Sequence, residues 1–305
     1  MAVVLITGGK GIVGKHLSNK LKEKGFTVAI VSRKSLKGNE IRTYAWDIDN
    51  NEIEKDAIET ADYIIHLAGA NIGDKRWTAK RRKLILDSRV KSGQLLFDKI
   101  KENKNNLKAF ISASAIGYYG TITTDKIFSE EDLPANDFLG ETCRQWEQAA
   151  DNFEKLGIRT VKIRTGIVLT EEGGALAKMI TPVKLGIGSA IGSGRQFMPW
   201  IHIDDLCAIY IKAIEDIHMN GTYNAVSPNR ITNIEFTKTL ARVLKKPLWF
   251  PKVPALLLKF IFGKMSEIIL KGSSVSPEKI IKAGYQFEFS NLEETLVDLL
   301  IIKSK

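Results

Sequence analysis

The chain has 305 residues, of which 44% are hydrophobic and 26% charged, a composition typical of globular proteins with one large or two modest domains. Its formal net charge of +10 suits anionic small molecules such as phosphorylated cofactors, but no basic block is interleaved with aromatic residues, which argues against a nucleic-acid groove. The two cysteines form no C-x-x-C pair and no basic leader precedes the first apolar run, so we expect a reducing, cytoplasmic location.

A glycine-rich turn follows the first predicted strand. Residues 3–6 are an apolar run that predicts a strand buried on both faces, and a segment of helical period begins at Ile12. Gly8 permits a tight turn, Gly11 lets a pyrophosphate approach the backbone, and Gly14 lets the helix pack closely on the strand. Backbone N–H groups at the start of that helix suit an anion. The stretch therefore predicts a dinucleotide site, with an ordinary tight loop as the alternative.

The second predicted strand, residues 26–31, ends in a cationic segment that carries a hydroxyl group. Sites for NAD have an acidic residue at this place to bind the ribose hydroxyls, whereas here Ser32 and Arg33 follow the strand. A serine hydroxyl and a guanidinium suit a 2′-phosphate. The segment therefore favours NADP over NAD, and a solvated basic loop is the alternative.

Strands and helices then alternate along the chain. Further strands are predicted at residues 41–47, 63–70, 107–114 and 160–169, with helices at 51–60, 77–100 and 138–156. This alternation predicts an α/β fold with a Rossmann-type, doubly wound parallel sheet. In such a sheet the ligand lies across the carboxyl ends of the strands.

Glycine-punctuated loops replace this alternation after the sixth predicted strand. We predict an NAD(P)-binding Rossmann domain at residues 1–166 with about 200–228, and a substrate lobe with a C-terminal domain at 167–199 and 229–305. The apolar stretch 253–262 is broken by Lys259 and is too short to span a bilayer, so it predicts a packed helix. We therefore expect no membrane partner.

Several motifs in combination resemble a known family. The segment Thr7-Gly8-Gly9-Lys10-Gly11-Ile12-Val13-Gly14 looks like the opening of the extended short-chain dehydrogenase/reductases, the nucleotide-sugar epimerase type. Later landmarks of that family are matched by Ser112-Ala113-Ser114 before Tyr119-Gly120 and by Trp200-Ile201-His202-Ile203-Asp204-Asp205-Leu206. The chain also resembles one atypical branch of that family, the epimerase-family proteins with a distinctive C-terminal domain. The segments that carry this second resemblance are Leu67-Ala68-Gly69-Ala70-Asn71-Ile72, Asp87-Ser88-Arg89-Val90, Arg144-Gln145-Trp146-Glu147, Gly194-Arg195-Gln196, Val275-Ser276-Pro277-Glu278-Lys279-Ile280 and Ala283-Gly284-Tyr285-Gln286-Phe287.

The resemblance implies a Rossmann domain that binds NADP (NADPH) and a smaller lobe that forms a substrate pocket. The cofactor contacts that it implies are Gly8, Gly11, Ile12, Ser32, Arg33, Leu67, Ala68, Arg89 and a residue near Ile167. Arg89 stands where most extended members carry an asparagine, and a guanidinium there would reach the phosphates or a ribose of the cofactor. A surface arginine on a helix is the alternative.

The usual catalytic pair of the family is missing. Ordinary members use Tyr-x-x-x-Lys, in which the tyrosine shuttles the proton while the lysine lowers its pKa and holds the nicotinamide ribose. No tyrosine of this chain has a lysine four residues on, and Leu139 and Cys143 stand at the positions of the pair. Leucine cannot transfer a proton, whereas cysteine can.

Other residues remain as catalytic candidates. Ser114 either polarises a substrate carbonyl or merely ends a strand. Tyr118 or Tyr119 would supply a phenol beside it. Glu141 or Cys143 would act as acid or base, although an exposed helix residue and a small buried one are the alternatives.

The substrate region also departs from the family. Nucleotide-sugar enzymes carry an arginine that grips the diphosphate where this chain has Met198, and Arg195 lies three residues earlier as compensation. Trp77, Phe197, Met198 and Trp200 indicate either a more aromatic pocket or core packing.

Two functions from different classes follow. The first is an NADP-dependent oxidoreductase or epimerase that passes hydride between the cofactor and an unidentified small alcohol or carbonyl near Ser114. The second is a protein that binds NADPH without turnover, as a redox-responsive interaction module. The missing catalytic pair favours the second, and the intact glycine turn favours the first.

Neither a metal nor an oligomeric state is indicated by the sequence. Asp204 and Asp205 near His202 face different ways on a helix, so no metal is predicted, and a homodimer remains open.

Overall fold

The computed structural model describes residues 1–34, 41–103 and 106–302. The strands are β1 Val3–Thr7, β2 Thr27–Ser32, β3 Arg42–Asp47, β4 Glu52–Ile53, β5 Tyr63–His66, β6 Ala109–Ala115, β7 Ile127–Phe128, β8 Arg159–Thr165, β9 Ile167–Leu169, β10 Trp200–His202, β11 Gly221–Ala225 and β12 Ser274–Val275. The α-helices are α1 Ile12–Glu23, α2 Lys55–Glu59, α3 Ala79–Glu102, α4 Phe138–Asp151, α5 Gly174–Lys184, α6 Ile203–Glu215, α7 Asn233–Val243, α8 Ala255–Phe262, α9 Glu267–Leu270, α10 Glu278–Lys282 and α11 Leu292–Val297. Short 3₁₀ segments occupy Ile116–Tyr119, Asn152–Leu156 and Gly263–Ser266, and a π-helical turn Asp298–Ile302 follows α11.

An eight-stranded sheet organises the molecule, in the order β11-β8-β6-β5-β1-β2-β3-β4. Every pairing in it is parallel except that of β3 with β4. Strand β1 lies between β5 and β2, so its glycine turn opens at the middle of the carboxyl edge, where the strand order reverses. The predicted α/β, Rossmann-type fold is confirmed.

Helices cover both faces of this sheet. On one face, Leu17 and Leu21 of α1 and Tyr210 of α6 are fully buried against β1, β6 and β8. On the other face, Leu96 of α3 and Phe153 after α4 pack against β5 and β6. Because helices exclude water from both sides, the central strands are continuous apolar runs rather than alternating ones.

The C-terminal part of the chain forms its own apolar cluster. Side chains of α5, α7 and α11 pack with Trp200 of β10 and with Met198, which precedes that strand. Both residues are buried there, Trp200 completely. Of the two readings that the sequence left open for Met198 and Trp200, the structure therefore supports core packing.

The predicted packed helix at 253–262 is wrong in its burial. A helix forms, α8, but Leu258 is its only buried residue, while Leu256 is 79% and Phe260 is 83% exposed. The sequence could not show this, because an apolar run does not reveal which neighbour covers it. Among the described residues, none of the helices has the length and apolarity needed to cross a bilayer.

Candidate active site

The turn between β1 and α1 has the geometry of an anion site. Gly8 has a φ of 71°, and a Cβ there would lie 2.9 Å from the carbonyl carbon of Leu67. A Cβ on Gly14 would lie 2.6 Å from the Gly8 carbonyl oxygen, so both positions require glycine. Gly11 caps α1, and the half-buried Ile12 begins it. The free N–H groups of the first turn therefore point into the cleft, where a phosphate would be stabilised.

A buried histidine braces this turn from β5. Thr7 Oγ1 lies 2.7 Å from His66 Nδ1 and accepts a hydrogen bond from the Ala68 N–H at 3.2 Å. Ser92 Oγ of α3 lies 3.1 Å from His66 Nε2. Burial lowers the pKa of His66 to about 4, so the ring is neutral at physiological pH. The sequence analysis missed His66, whose one signal was a polar residue within an apolar strand.

Arg89 is a cation held beside the end of β5 without a carboxylate. Its Nη1 donates to the carbonyl oxygens of Ala70 at 3.1 Å and Ile85 at 2.8 Å, and its Cζ lies 4.9 Å from the Trp146 ring centre. Burial lowers its pKa, with a further contribution from the charge of Arg81. No acidic side chain among the described residues pairs with it. A Cβ on Gly69 would touch its Cζ at 3.0 Å, so the guanidinium lies directly against the backbone that follows β5.

The end of β2 is cationic, as the sequence predicted. Lys10 Nζ donates to Ser32 Oγ at 2.8 Å, and Ser32 Oγ donates to the Lys34 carbonyl oxygen at 2.9 Å. Arg33 is exposed beside them. The glycine turn therefore contributes a lysine that the sequence analysis did not assign, and its ammonium binds the Ser32 hydroxyl. Ile167, the remaining candidate contact, begins β9 and is half-buried.

Ser114 and Tyr119 belong to one buried polar network. Ser114 Oγ donates to Glu147 Oε1 at 2.6 Å, and Tyr119 OH donates to Asn224 Oδ1 at 2.7 Å. Arg164 joins the two, because its Nε and Nη2 donate to Glu147 at 2.8 and 2.9 Å and its Nη1 donates to Tyr119 OH at 3.0 Å. All five side chains are buried. The sequence analysis missed Glu147, Arg164 and Asn224, which lie on different elements.

The titratable candidates in and around this network have pKa values displaced from their ordinary range. Burial raises the pKa of Tyr119 well above its ordinary value, despite the charge of Arg164. Burial also raises the pKa of Tyr118, whose ring centre lies 3.4 Å from the Arg164 Cζ. Glu141 is half-buried, and hydrogen bonds from Arg144 and then Gln145 lower its pKa to about 2. At neutral pH the two phenols are therefore protonated and the Glu141 carboxylate is ionised.

Cys143 and Leu139 lie one turn apart on α4, facing the segment after β6. A Cβ on Gly117 would lie 3.4 Å from the Leu139 Cβ and 3.7 Å from the Cys143 Sγ. Burial raises the pKa of the Cys143 thiol to about 12, helped by the charge of Glu147 and opposed by that of Arg89. The thiol is therefore fully protonated at neutral pH.

An apolar wall lies beside α4. Trp77, Ile85, Leu139 and Met265 form a cluster in which the Trp77 and Phe138 ring centres lie 5.1 Å apart. Of the aromatic residues proposed for a pocket, Trp77 is the one in this wall.

The acids near His202 have structural partners. Asp204 pairs with His16 and Lys20 of α1, each at 2.7 Å. Asp205 accepts hydrogen bonds from Tyr285 OH at 2.6 Å and from backbone N–H groups of the C-terminal tail. These two carboxylates connect α6 with α1 and with the tail.

Comparison with known proteins identifies the family. The NAD dependent epimerase/dehydratase family model matches residues 4–226, and a domain of unknown function, DUF1731, matches residues 253–299. Epimerase family protein YfhF of Bacillus subtilis is 37% identical over 299 residues, which are 97% of this chain and 97% of that protein.

Comparison with solved structures gives the same family. Human epimerase family protein SDR39U1, crystallised with NADPH, is 33% identical with a TM-score of 0.86, over 97% of this chain and 98% of that chain. The nucleoside-diphosphate sugar epimerase of Corynebacterium glutamicum is 30% identical with a TM-score of 0.81, over 98% of this chain and 58% of that chain. With its central sheet, its glycine turn and these similarities, the chain belongs to the NAD-dependent epimerase/dehydratase family, of the extended short-chain dehydrogenase/reductase type.

Proposed function

We propose that this protein binds NADPH and uses it to reduce a small carbonyl compound, as an oxidoreductase or epimerase that works without the Tyr-x-x-x-Lys pair. The observation that carries the proposal is Arg89, a largely buried guanidinium beside the glycine turn with no carboxylate partner in the described part of the chain. Removing such a charge from water costs free energy unless an opposite charge approaches it. An anionic cofactor supplies that charge.

The preference for NADPH rests on the end of β2. Lys10 donates to the Ser32 hydroxyl, and the exposed Arg33 and Lys34 follow it in the chain as a basic cluster. A dianionic 2′-phosphate gains from this cluster, whereas the neutral ribose hydroxyls of NADH do not. The crystal structure of the human relative with NADPH supports the same choice.

Cys143 is the candidate proton donor. The bound cofactor supplies hydride at its nicotinamide ring. A thiol with a pKa near 12 stays protonated at neutral pH, so the resting form of Cys143 can give a proton to a forming alkoxide. Arg89 lies close enough to favour the thiolate that results. We therefore propose Cys143 as the proton donor in reduction, beside the apolar wall that contains Trp77.

A second function, NADPH binding without turnover, is favoured by a different observation. The hydroxyl protons of Ser114 and Tyr119 are donated to Glu147 and Asn224, and an aliphatic Leu139 stands where the family's tyrosine belongs. A chain with this arrangement could respond to the NADPH level through a partner protein instead of a substrate.

Cofactor titration tests the binding step. We expect fluorescence titration to give NADPH at least about tenfold tighter binding than NADH, because a 2′-phosphate gains at least one charge-assisted hydrogen bond. Arg33→Asp should remove this preference, and Arg230→Asp, at an exposed arginine, should not. Equal affinity for both cofactors in the unchanged protein would contradict the proposal.

Turnover separates the two functions. We expect some members of a panel of aldehydes and ketones to oxidise NADPH, followed by its absorbance. Cys143→Ala should then lower kcat by about a hundredfold, while Cys207→Ala, at the other buried cysteine, keeps it. Tight NADPH binding with no oxidation by any compound would favour the silent binder.

A further inference from the structure

Helix α8 and the segment before it expose an unusually apolar surface. This α8 surface consists of Trp249, Phe250, Leu256, Leu257, Phe260 and Ile261, all of them exposed. Trp249 is 80% exposed, a value close to those of Leu256 and Phe260. Isolated exposed apolar residues are common, but a contiguous set indicates a binding surface.

The helix presents these side chains together. Leu256 and Phe260 are four residues apart, as are Leu257 and Ile261, so both pairs lie on adjoining stripes of one helical face. Leu258 is buried and anchors the opposite side. Arg76 Nη2 donates to the Phe260 carbonyl oxygen at 2.5 Å, which ties α8 to the body of the protein. The surface is thus held outward by a fixed helix.

The sequence around this surface is strongly basic. Between Glu235 and Glu267 the sequence has no acidic residue. The exposed lysines in this interval include Lys245, Lys246, Lys252, Lys259 and Lys264. Exposed apolar side chains in a segment whose charged residues are all basic favour an occupant that is both apolar and anionic.

We propose that the α8 surface docks in the plane of a membrane whose headgroups are anionic. Such a membrane offers a negative surface to the lysines and a hydrocarbon boundary to the leucines and aromatic residues. A second copy of this chain fits poorly, because it would bring the same lysines against each other, in a protein whose net charge is already +10. Docking in the plane needs no spanning helix, so it differs from the expectation of no membrane partner, which rested on span length alone. It is independent of the proposed function.

Vesicle flotation of the full chain tests the proposal. We expect binding to vesicles of phosphatidylglycerol mixed with phosphatidylcholine, weak binding to phosphatidylcholine alone, and loss of binding at high salt. The Lys252→Gln/Lys259→Gln/Lys264→Gln variant should partition about a hundredfold less, since each lysine near an anionic surface contributes about fivefold. Leu256→Gln/Phe260→Gln should weaken binding at least about tenfold.

Matched controls keep this result interpretable. Leu133→Gln/Ile217→Gln alters two residues that are 84% and 72% exposed elsewhere, and it should leave vesicle binding unchanged. Because every substituted side chain is exposed, each variant should keep the thermal midpoint and NADPH affinity of the unchanged protein. Absence of vesicle binding by the unchanged protein would overturn the proposal. So would equal binding to both vesicle types, or a self-association in sedimentation that Leu256→Gln/Phe260→Gln abolishes.

Discussion

The ion pair between Arg164 and Glu147 should be the most costly single contact to break in the polar network. Its side chains are 3% and 7% exposed, and Glu147 also accepts the Ser114 hydroxyl. Glu147→Ala therefore leaves a buried guanidinium and a buried hydroxyl without their acceptor. Removing one partner of a buried pair costs about 3–5 kcal/mol. At about 2 °C per kcal/mol for a chain of this size, the thermal midpoint should fall by about 6–10 °C.

The assay is urea unfolding at neutral pH, with the thermal midpoint as a second measurement. The matched control is Arg242→Met, which breaks an Arg–Glu pair of 2.6 Å whose side chains are 65% and 46% exposed. An exposed pair contributes about 0–1 kcal/mol, so that variant should stay near the unchanged protein. The double variant Glu147→Leu/Arg164→Met removes both charges and should recover most of the loss. Equal losses in Glu147→Ala and Arg242→Met would refute the reasoning.

Three further predictions concern the cofactor cleft. The pKa of His66 is about 4 in the folded protein and 6.5 in the unfolded chain, so its contribution to stability is complete above pH 6.5 and falls by about 3 kcal/mol toward pH 4. In His66→Asn the unfolding free energy, measured at several pH values, should therefore fall less between pH 6.5 and pH 4. Cys143 has a folded pKa of about 12, raised from 9, so its contribution is complete below pH 9 and is lost as pH rises toward 12; because little thiolate is present, its alkylation by iodoacetamide at pH 8 should be slower in the folded than in the unfolded protein. Gly14→Ala should weaken NADPH binding at least about tenfold by titration, because its Cβ would lie 2.6 Å from the Gly8 carbonyl oxygen; a variant that binds normally would show that the turn moves freely.

The parts of the fold that could be predicted from sequence are those set by neighbours in the chain. The glycine turn could be predicted because a strand, three glycines and the start of a helix are adjacent in sequence. At these positions a side chain would lie too close to neighbouring backbone atoms. The parallel sheet followed from the alternation of strands and helices. The domain boundaries and the homodimer stay predictions, since no observation bears on them.

The polar network could not be predicted, because its members are brought together by the sheet. Ser114 and Arg164 are partners in the register of β6 with β8, and Glu147 reaches them from α4. A serine, an arginine and a glutamate so far apart in sequence each look like surface or strand-end residues. The prediction that α8 is packed was wrong for a related reason. An apolar run indicates that a segment favours burial, but it does not show which neighbour covers it.

Two departures from the family pattern, Cys143 at the position of the lysine and Arg89 at the position of an asparagine, are connected through charge. The usual lysine supplies a cation to the cleft from the α4 position that Cys143 occupies here. This chain supplies a cation from α3 instead, as Arg89, whose charge lowers the pKa of the Cys143 thiol although burial dominates. One guanidinium can therefore attract the cofactor and stabilise a thiolate after proton donation, which are the tasks that the family's lysine performs for its tyrosine. We therefore expect Arg89→Met to weaken NADPH binding and also to lower turnover at saturating NADPH, whereas an arginine that only binds the cofactor would affect the binding alone.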